Sequence, residues 1–474
     1  MIIYLSDLNG EDSMLIQFSV SNFMSFDEKE TFSMQAGKAR KYNERIFKNK
    51  KIKLTKCKII SGANASGKSN FVSAIKFVQN MIVDGLPRGF SEKYFRLNQN
   101  NKRIPSEFEI QILCKEKIFV YYFSINLSTG SILNENLSEK INSNSTKLLF
   151  DRDTLNEKFI VGDYFKKTDS LKKLYNYGED SIGNQDILFL SIINMNKEKM
   201  FLEYPELRVL KDIYDWFDDR LNISFPNTVL TGYPYFTDAN LEKIADLLDA
   251  LDTGITELKI VKVPVEIVKN KIPEELFNRI ISDLEKTNAK NINGLDNSPS
   301  IMARSYKEFY TFKMNQEGEI EITTIEFSHE NKNIFFDLNE ESDGTARLLD
   351  LIEILFGISN NKIFVIDEID RCLHPLMTVK IIELFLEMAK KRNTQLIVTS
   401  HESRLLATDI LRNDEICFVK KMKDGSSIIV PLDKYQLRAD KNVYAALFDG
   451  TVSAVPKFKE EKIEKLLDLK KTSS

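Results

Sequence analysis

The chain is poor in the features that anchor or cross-link several common protein classes. It has four cysteines in 474 residues, and Cys57, Cys114, Cys372 and Cys417 stand apart, with no C-x-x-C pair. That spacing argues against zinc sites and disulfide frameworks and suits a reducing cytoplasm. Histidine is scarce, with only His329, His374 and His401, so the place of each is informative. No apolar run approaches the length of a membrane span. The first residues lack a cleavable signal pattern, because Asp7, Glu11 and Asp12 interrupt it. Neither charge dominates: the net charge is −4, which gives no global attraction to nucleic acid. There is no internal repeat, no low-complexity tract, and no a/d heptad lasting three or four repeats. What is left is a cytoplasmic chain with 42% hydrophobic residues, enough for a large core and two or three structural units. Met14 precedes the first clear strand, so residues 1–13 are expected to form a loose extension.

What the chain does have begins with Gly62-Ala63-Asn64-Ala65-Ser66-Gly67-Lys68-Ser69, a G-x-x-x-x-G-K-S sequence. Glycines let the backbone curl around a phosphate with its N–H groups pointing inward. Lys68 is placed to reach β- and γ-phosphates, and the Ser69 hydroxyl to hold Mg²⁺. The β-like run Lys58-Ile59-Ile60 precedes the loop, and a helix-like run from Asn70 follows it, so a helix N-terminus faces the anion.

Three further stretches fit the same chemistry. Lys362-Ile363-Phe364-Val365-Ile366 is an apolar strand pattern that ends in Asp367-Glu368. Acids at a strand end sit where open α/β sheets bind ligands; Asp367 would support Mg²⁺ and Glu368 would polarise a water. Alternatively, this is a buried strand running into an acidic turn. Gln395-Leu396-Ile397-Val398-Thr399-Ser400 is a second such strand, with His401 at its end; the ring can contact a γ-phosphate or cap the following helix. Ser342-Asp343-Gly344-Thr345 precedes the apolar helix pattern of Leu348, Leu349, Leu351, Ile352 and Leu355. Ser342 and Gly344 thus mark either an ordinary N-cap or an anion-binding helix start.

Taken in order, these stretches resemble an ATP-binding cassette (ABC) ATPase of the SMC and RecF kind, and Asn22-Phe23-Met24-Ser25-Phe26 resembles the opening of those proteins. Within that group the chain resembles the bacterial abortive-infection AbiL-type ATPases, which include the AriA subunit of the PARIS phage-defence system. The subgroup likeness rests on Phe108-Glu109-Ile110, Leu149-Phe150-Asp151-Arg152, Leu251-Asp252-Thr253-Gly254-Ile255 and Asp367 to Pro375. The sequence departs from the pattern at His374, where transporters carry Asp, and at Asp343, where the signature carries Gly. A glutamine loop is not evident; Gln99 lies in a run that reads equally as a polar turn.

The resemblance implies an α/β fold with an ABC-type P-loop core of mixed sheet and flanking helices. It implies a Mg²⁺-dependent ATPase whose ATP contacts are residues 62–69, Asn70, Ser342 and Gly344, with Ser69 and Asp367 on the metal and Glu368 and His401 catalytic. Two subunits would pack head to tail, with ATP between the phosphate loop of one and Ser342–Gly344 of the other. Higher assemblies, a phage-derived trigger and a separate effector nuclease of Toprim or HNH type are further implications. An alternative is a repair or recombination ATPase acting on DNA ends. A stand-alone nuclease fits less well, since only about seventy residues follow His401, too few for an appended Toprim domain.

The expected plan is an N-terminal lobe over residues 1–154, a mainly helical insertion over 155–300 and a C-terminal lobe over 301–474. Roughly 300 residues separate Ser69 from Asp367, more than a compact cassette core needs; without heptads, the insertion is expected to be a compact helical subdomain. Its clearest amphipathic stretches run from Leu207 to Leu221 and from Leu241 to Leu251. Residues 310–325 read as a hairpin around Glu317-Gly318. From Lys38 to Lys58 ten basic residues meet a single acid, Glu44, with Tyr42 and Phe47 interleaved. This is either a nucleic-acid contact through phosphates or a solvated basic hairpin.

Overall fold

The computed structural model describes residues 12–435 except 40, 227, 229–239, 291–299, 306, 316–317, 331–332, 357–360 and 408, together with residue 463. Most of the expected N-terminal extension, as well as Arg40 and Glu317, therefore lies outside the described residues. The chain divides into two compact units, one of Leu15–Ile112, Lys117–Phe217 and Ile397–Ser474, the other of Met1–Met14, Leu113–Glu116 and Asp218–Leu396.

The first unit holds the phosphate loop. Strand Cys57–Ser61 leads into it and pairs in parallel with Ile416–Lys421, which pairs antiparallel with Ser427–Pro431. Helix Lys68–Val83 leaves the loop. Its inner face carries Phe71, Ala74, Ile75 and Val78, all at most 1% exposed, the i, i+3/i+4 spacing of a helix packed on a core. A second, seven-stranded sheet contains Ser13–Ser21, Glu30–Ser33, Ser106–Cys114, Lys117–Asn126, Ser131–Lys140, Thr146–Asp153 and Lys158–Val161.

The opening motif has a clear packing role. Phe23 and Phe26 are fully buried. The Phe23 ring lies 5.3 Å from both Phe77 and Phe108, joining helix to sheet through aromatic contacts. Asn22 donates to the carbonyls of Asn101 at 2.9 Å and Ile104 at 2.7 Å and accepts the Phe95 N–H at 3.0 Å, stitching the 95–104 loop to the end of the first strand.

The same unit buries an ion pair. Glu135 and Arg152 are both 0% exposed. The Glu135 carboxylate accepts Tyr121 Oη at 2.8 Å and the Phe189 and Leu190 N–H groups at 2.5 and 2.9 Å. Arg152 donates to the carbonyls of Ser181, Asn184 and Ile187. Burial pushes the Glu135 carboxyl up, opposed by Arg152 and the donated N–H groups. Arg152, within one of the subgroup stretches, thereby clamps the 181–187 turn to the sheet.

In the other unit, strands Glu257–Lys262, Ile320–Ser328, Glu308–Met314 and Ser300–Ser305 form an antiparallel sheet. The expected hairpin is present, with Met314 opposite Ile320. Val268, Phe277, Ile280 and Leu284, from helices Val265–Lys271 and Glu274–Lys290, pack on Tyr310, Phe312, Met314 and Ile322. At 17 residues, Glu274–Lys290 is the longest helix among the described residues, so no long coiled coil is present there. The amphipathic stretch from Leu207 does not remain helical to Leu221. Helix Arg208–Asp215 runs into a π turn, Trp216–Arg220, and Leu221–Ser224 is a strand parallel to Ile363–Ile366. Four residues are too few to show a period of two, and the strand's partner lies far downstream.

Candidate nucleotide site

The phosphate loop is closed by contacts that leave no room for larger residues. A Cβ at Gly62 would lie 2.3 Å from the Val419 carbonyl oxygen. Gly67 has φ +109°, and a Cβ there would come within 2.4 Å of Ser427 Oγ and 2.7 Å of Ser25 Oγ. Only glycine tolerates that combination of left-handed backbone and close approach. Lys68 is 5% exposed, and its Nζ donates to the carbonyls of Gly62 at 2.8 Å and Ala63 at 3.1 Å. The ammonium thus lies against the loop rather than in solvent. The buried Ser66 hydroxyl has no hydrogen-bond partner among the described residues, an unmet polar group in the same loop. A tight, cation-bearing cradle of this kind fits a phosphate group.

Behind the loop stand two serines that sequence reasoning did not single out for this role. Ser427 Oγ donates to the Ser66 carbonyl at 2.6 Å, and its N–H donates to the Ser25 carbonyl at 2.7 Å. Ser25 Oγ accepts the Asn70 side-chain amide at 2.8 Å. Asn70 thus sits at the helix start with its amide committed to Ser25, while Asn64, Ala65 and Ser69 are exposed. The Asn22–Phe26 motif carried a signal for Ser25; Ser427 had none, because its role depends on strand placement.

In the same unit, Ser400 N–H donates to the Ile60 carbonyl at 3.1 Å, which brings the end of strand Gln395–Thr399 beside the phosphate-loop strand. His401 follows, exposed. Ser400 Oγ accepts the Glu402 N–H at 2.9 Å and the Glu402 carboxylate accepts the Arg404 N–H at 2.8 Å.

The other unit brings together the acid strand and the Ser342 helix. Ile363–Ile366 is buried throughout, and the Asp367 N–H continues the ladder to the Ser224 carbonyl at 2.8 Å. Asp367 is 2% exposed, whereas Glu368 is half-buried with φ +49°. Helix Asp343–Phe356 begins after Ser342, whose Oγ accepts the Thr345 N–H at 3.0 Å. Ser342 therefore caps its own helix. Lys307 braces the preceding turn, donating to the Glu341 carbonyl at 2.8 Å and pairing with Asp343 at 2.9 Å. A Cβ at Gly344 would lie 2.9 Å from the Cys372 carbonyl, so the helix start sits flush on the turn that follows Glu368. His374 occupies the N-cap of helix Pro375–Ala389, with Nδ1 accepting the Leu376 N–H at 3.3 Å, a capping role that an aspartate could also serve.

The basic cluster is not one exposed strip. Arg45, Lys56 and Lys58 are buried. Arg45 donates to the Ile410 carbonyl at 2.8 Å and Lys58 to the Asp414 carbonyl at 2.6 Å. Arg412 answers them, pairing with Asp414 at 2.7 Å and donating to the Ala39 carbonyl at 2.9 Å. Those cations stitch the 409–415 segment to the 37–58 segment; the exposed remainder includes Lys48, Lys51 and Lys53.

Comparison with known proteins places this geometry in a family. The family model described as "AAA domain, putative AbiEii toxin, Type IV TA system" matches residues 59–407. No curated protein matches the chain. Among solved structures, an SMC head bound to the C-winged helix domain of ScpA is similar at 15% identity and a TM-score of 0.40, covering 88% of this chain and 96% of that one. The SMC head domain from Thermotoga maritima gives 15% identity, a TM-score of 0.31, and coverage of 88% and 98%. An Smc head domain with an extended coiled coil, bound to the C-terminal domain of ScpA derived from Pyrococcus furiosus, gives 17%, 0.37, and coverage of 89% and 97%. The fold is α/β, built of β-sheets and flanking helices, and the matching family model is that of an AAA domain. The matched span runs from the phosphate-loop strand past His401, and the chain belongs to this AAA-domain family, AAA_21.

Proposed function

We propose that this chain is a Mg²⁺-dependent ATPase that acts as the sensor or scaffold subunit of a bacterial anti-phage system of the abortive-infection, AbiL-like type. The observation that carries the nucleotide part is the braced loop, with Lys68 Nζ 2.8 Å from the Gly62 carbonyl and Ser427 fixed on Ser66. The defence part is supported by the family description, which joins an AAA domain to a putative toxin of a Type IV TA system. Residues 62–70 bind the phosphates. Ser69 and Asp367 would hold Mg²⁺, which would supply charge neutralisation at the phosphates. Glu368 orients and polarises the attacking water, and His401 contacts the γ-phosphate. Catalysis then comes from positioning and charge stabilisation.

On this reading, two subunits associate head to tail, and Ser342 and Gly344 of one complete the phosphate-loop site of the other. A separately encoded nuclease of Toprim or HNH type provides the output, and residues 155–300 contribute to its docking. Among the described residues no helix is long and apolar enough to cross a membrane. The test combines ATP turnover with a nuclease assay on homogeneous protein, using Mg²⁺ or Mn²⁺, ATP and assorted DNA and RNA. ATP turnover without cleavage, with cleavage appearing once the gene neighbour is added, is the expected result. Robust cleavage by the chain alone, lost on mutating its own acids, would overturn the scaffold reading. DNA-stimulated turnover would favour action on DNA ends.

A further inference from the structure

We infer that Arg347 is a positioning residue, which fixes the backbone turn that aims the Glu368 carboxylate. This rests on the reading above in which Glu368 polarises the attacking water. Arg347 lies one turn into helix Asp343–Phe356 and is 3% exposed. One of its terminal nitrogens donates to two consecutive peptide carbonyls, Asp367 O at 3.4 Å and Glu368 O at 3.3 Å. A guanidinium is costly to bury, and such a group is retained where its fork of donors meets fixed acceptors.

The turn it touches departs from ordinary backbone. Glu368 has φ +49° and Cys372 φ +62°, left-handed conformations that non-glycine residues adopt only when the surroundings impose them. Asp367 is anchored on the other side by its N–H bond to Ser224 O at 2.8 Å. Within the turn, the Arg371 N–H donates to the Glu368 carbonyl at 3.1 Å. Arg347 therefore shares the Glu368 carbonyl with Arg371 and holds the peptide on each side of the Glu368 Cα. Both dihedrals that direct the Glu368 side chain lie between those two held carbonyls. The close approach of Gly344 to Cys372 O, where a Cβ would stand only 2.9 Å away, seats the same helix on the far end of the turn. The backbone geometry at Glu368 is thus held by a residue that need not touch nucleotide.

The test is a double-mutant cycle in the full chain, with nucleotide affinity and thermal melting measured beside single-turnover ATP hydrolysis. Arg347→Met is expected to slow hydrolysis by roughly 10- to 100-fold, the scale of a misplaced general base, with ATP affinity changed by less than about twofold. Arg347→Lys should recover part of that rate, since an ammonium can reach one carbonyl. In a Glu368→Gln background the Arg347→Met change should add nothing, because the group it positions is already gone. Rate losses that multiply in the double variant would overturn the inference. So would a fully active Arg347→Met, or equal loss of affinity and rate. If Arg347→Met melts below the assay temperature, the same cycle is read with Arg347→Lys, whose smaller loss must likewise vanish with Glu368→Gln. Wild-type protein that hydrolyses ATP while Glu368→Gln remains fully active would remove the underlying reading itself, a result distinct from normal turnover in Arg347 variants alone.

Discussion

The Ser427 hydroxyl donates a 2.6 Å hydrogen bond to the carbonyl of Ser66, so a strand 361 residues downstream fixes the phosphate loop. The contact is buried, and the same residue's N–H is bonded to Ser25. The loop's shape therefore depends on elements from both ends of the described chain.

Removing that brace should weaken nucleotide binding more than chemistry. Ser427→Ala deletes one buried hydrogen bond, about 1 kcal/mol, or roughly fivefold in ATP affinity, with turnover at saturation nearly unchanged. Gly67→Ala should cost on the order of 100-fold, because it combines backbone strain with steric conflict. Equilibrium titration with a fluorescent ATP analogue distinguishes the two; equal effects would contradict the packing described.

Lys68→Ala should abolish tight nucleotide binding or turnover, because the β/γ charge loses its cation. Glu368→Gln should retain ATP yet hydrolyse it at least ~100-fold more slowly. A normal rate in Glu368→Gln, measured by phosphate release, would show that another group serves as the base.

Sharing of the site between subunits is checked by mixing two inactive variants. Ser342→Arg serves as the signature lesion: it gives up the Ser342 cap of its own helix, about 1 kcal/mol, but avoids the backbone conflict that any Cβ at position 344 would have with the Cys372 carbonyl, 2.9 Å away. Mixed assemblies of Lys68→Ala and Ser342→Arg should regain turnover, because one composite site keeps both intact halves. Confirmed mixed assemblies that stay inactive would argue for sites complete within one chain.

Breaking the buried pair should be costly. Arg152→Met leaves Glu135 without its cation at 0% exposure and the carbonyls of Ser181, Asn184 and Ile187 without their donor, which predicts a loss of about 3–5 kcal/mol in chemical denaturation. Adding Glu135→Gln should recover part of it. A loss below about 1 kcal/mol would show that the clamp on residues 181–187 contributes little.

Glu415 gives a pH signature. It is 1% exposed, and burial pushes its carboxyl from 4.5 up to about 7, with Asp414 adding to the rise and the Arg412 N–H and side chain opposing it. The folded state then binds this proton more tightly than the unfolded chain, so its contribution to stability falls as pH rises from 4.5 to about 7. Glu415→Gln should remove that slope, seen as the difference between the two proteins' denaturation midpoints across the window. Parallel pH profiles would rule out a perturbed Glu415.

Residue type and spacing alone were enough for the loop from Gly62 to Ser69, the apolar strand ending at Asp367 and the hairpin spanning Met314 and Ile320, because each is a local pattern. They also marked Ser342 as a helix start, where the N-cap bond forms within four residues. Three other features emerged only from the folded chain: Ser427 braces Ser66, Leu221–Ser224 extends the acid strand's pairing, and Arg45 and Lys58 are internal ties to residues 410–414. The difference is one of range. A phosphate loop or a cap is written in adjacent residues, whereas a buried cation or a four-residue strand acquires its meaning from a partner more than a hundred positions away.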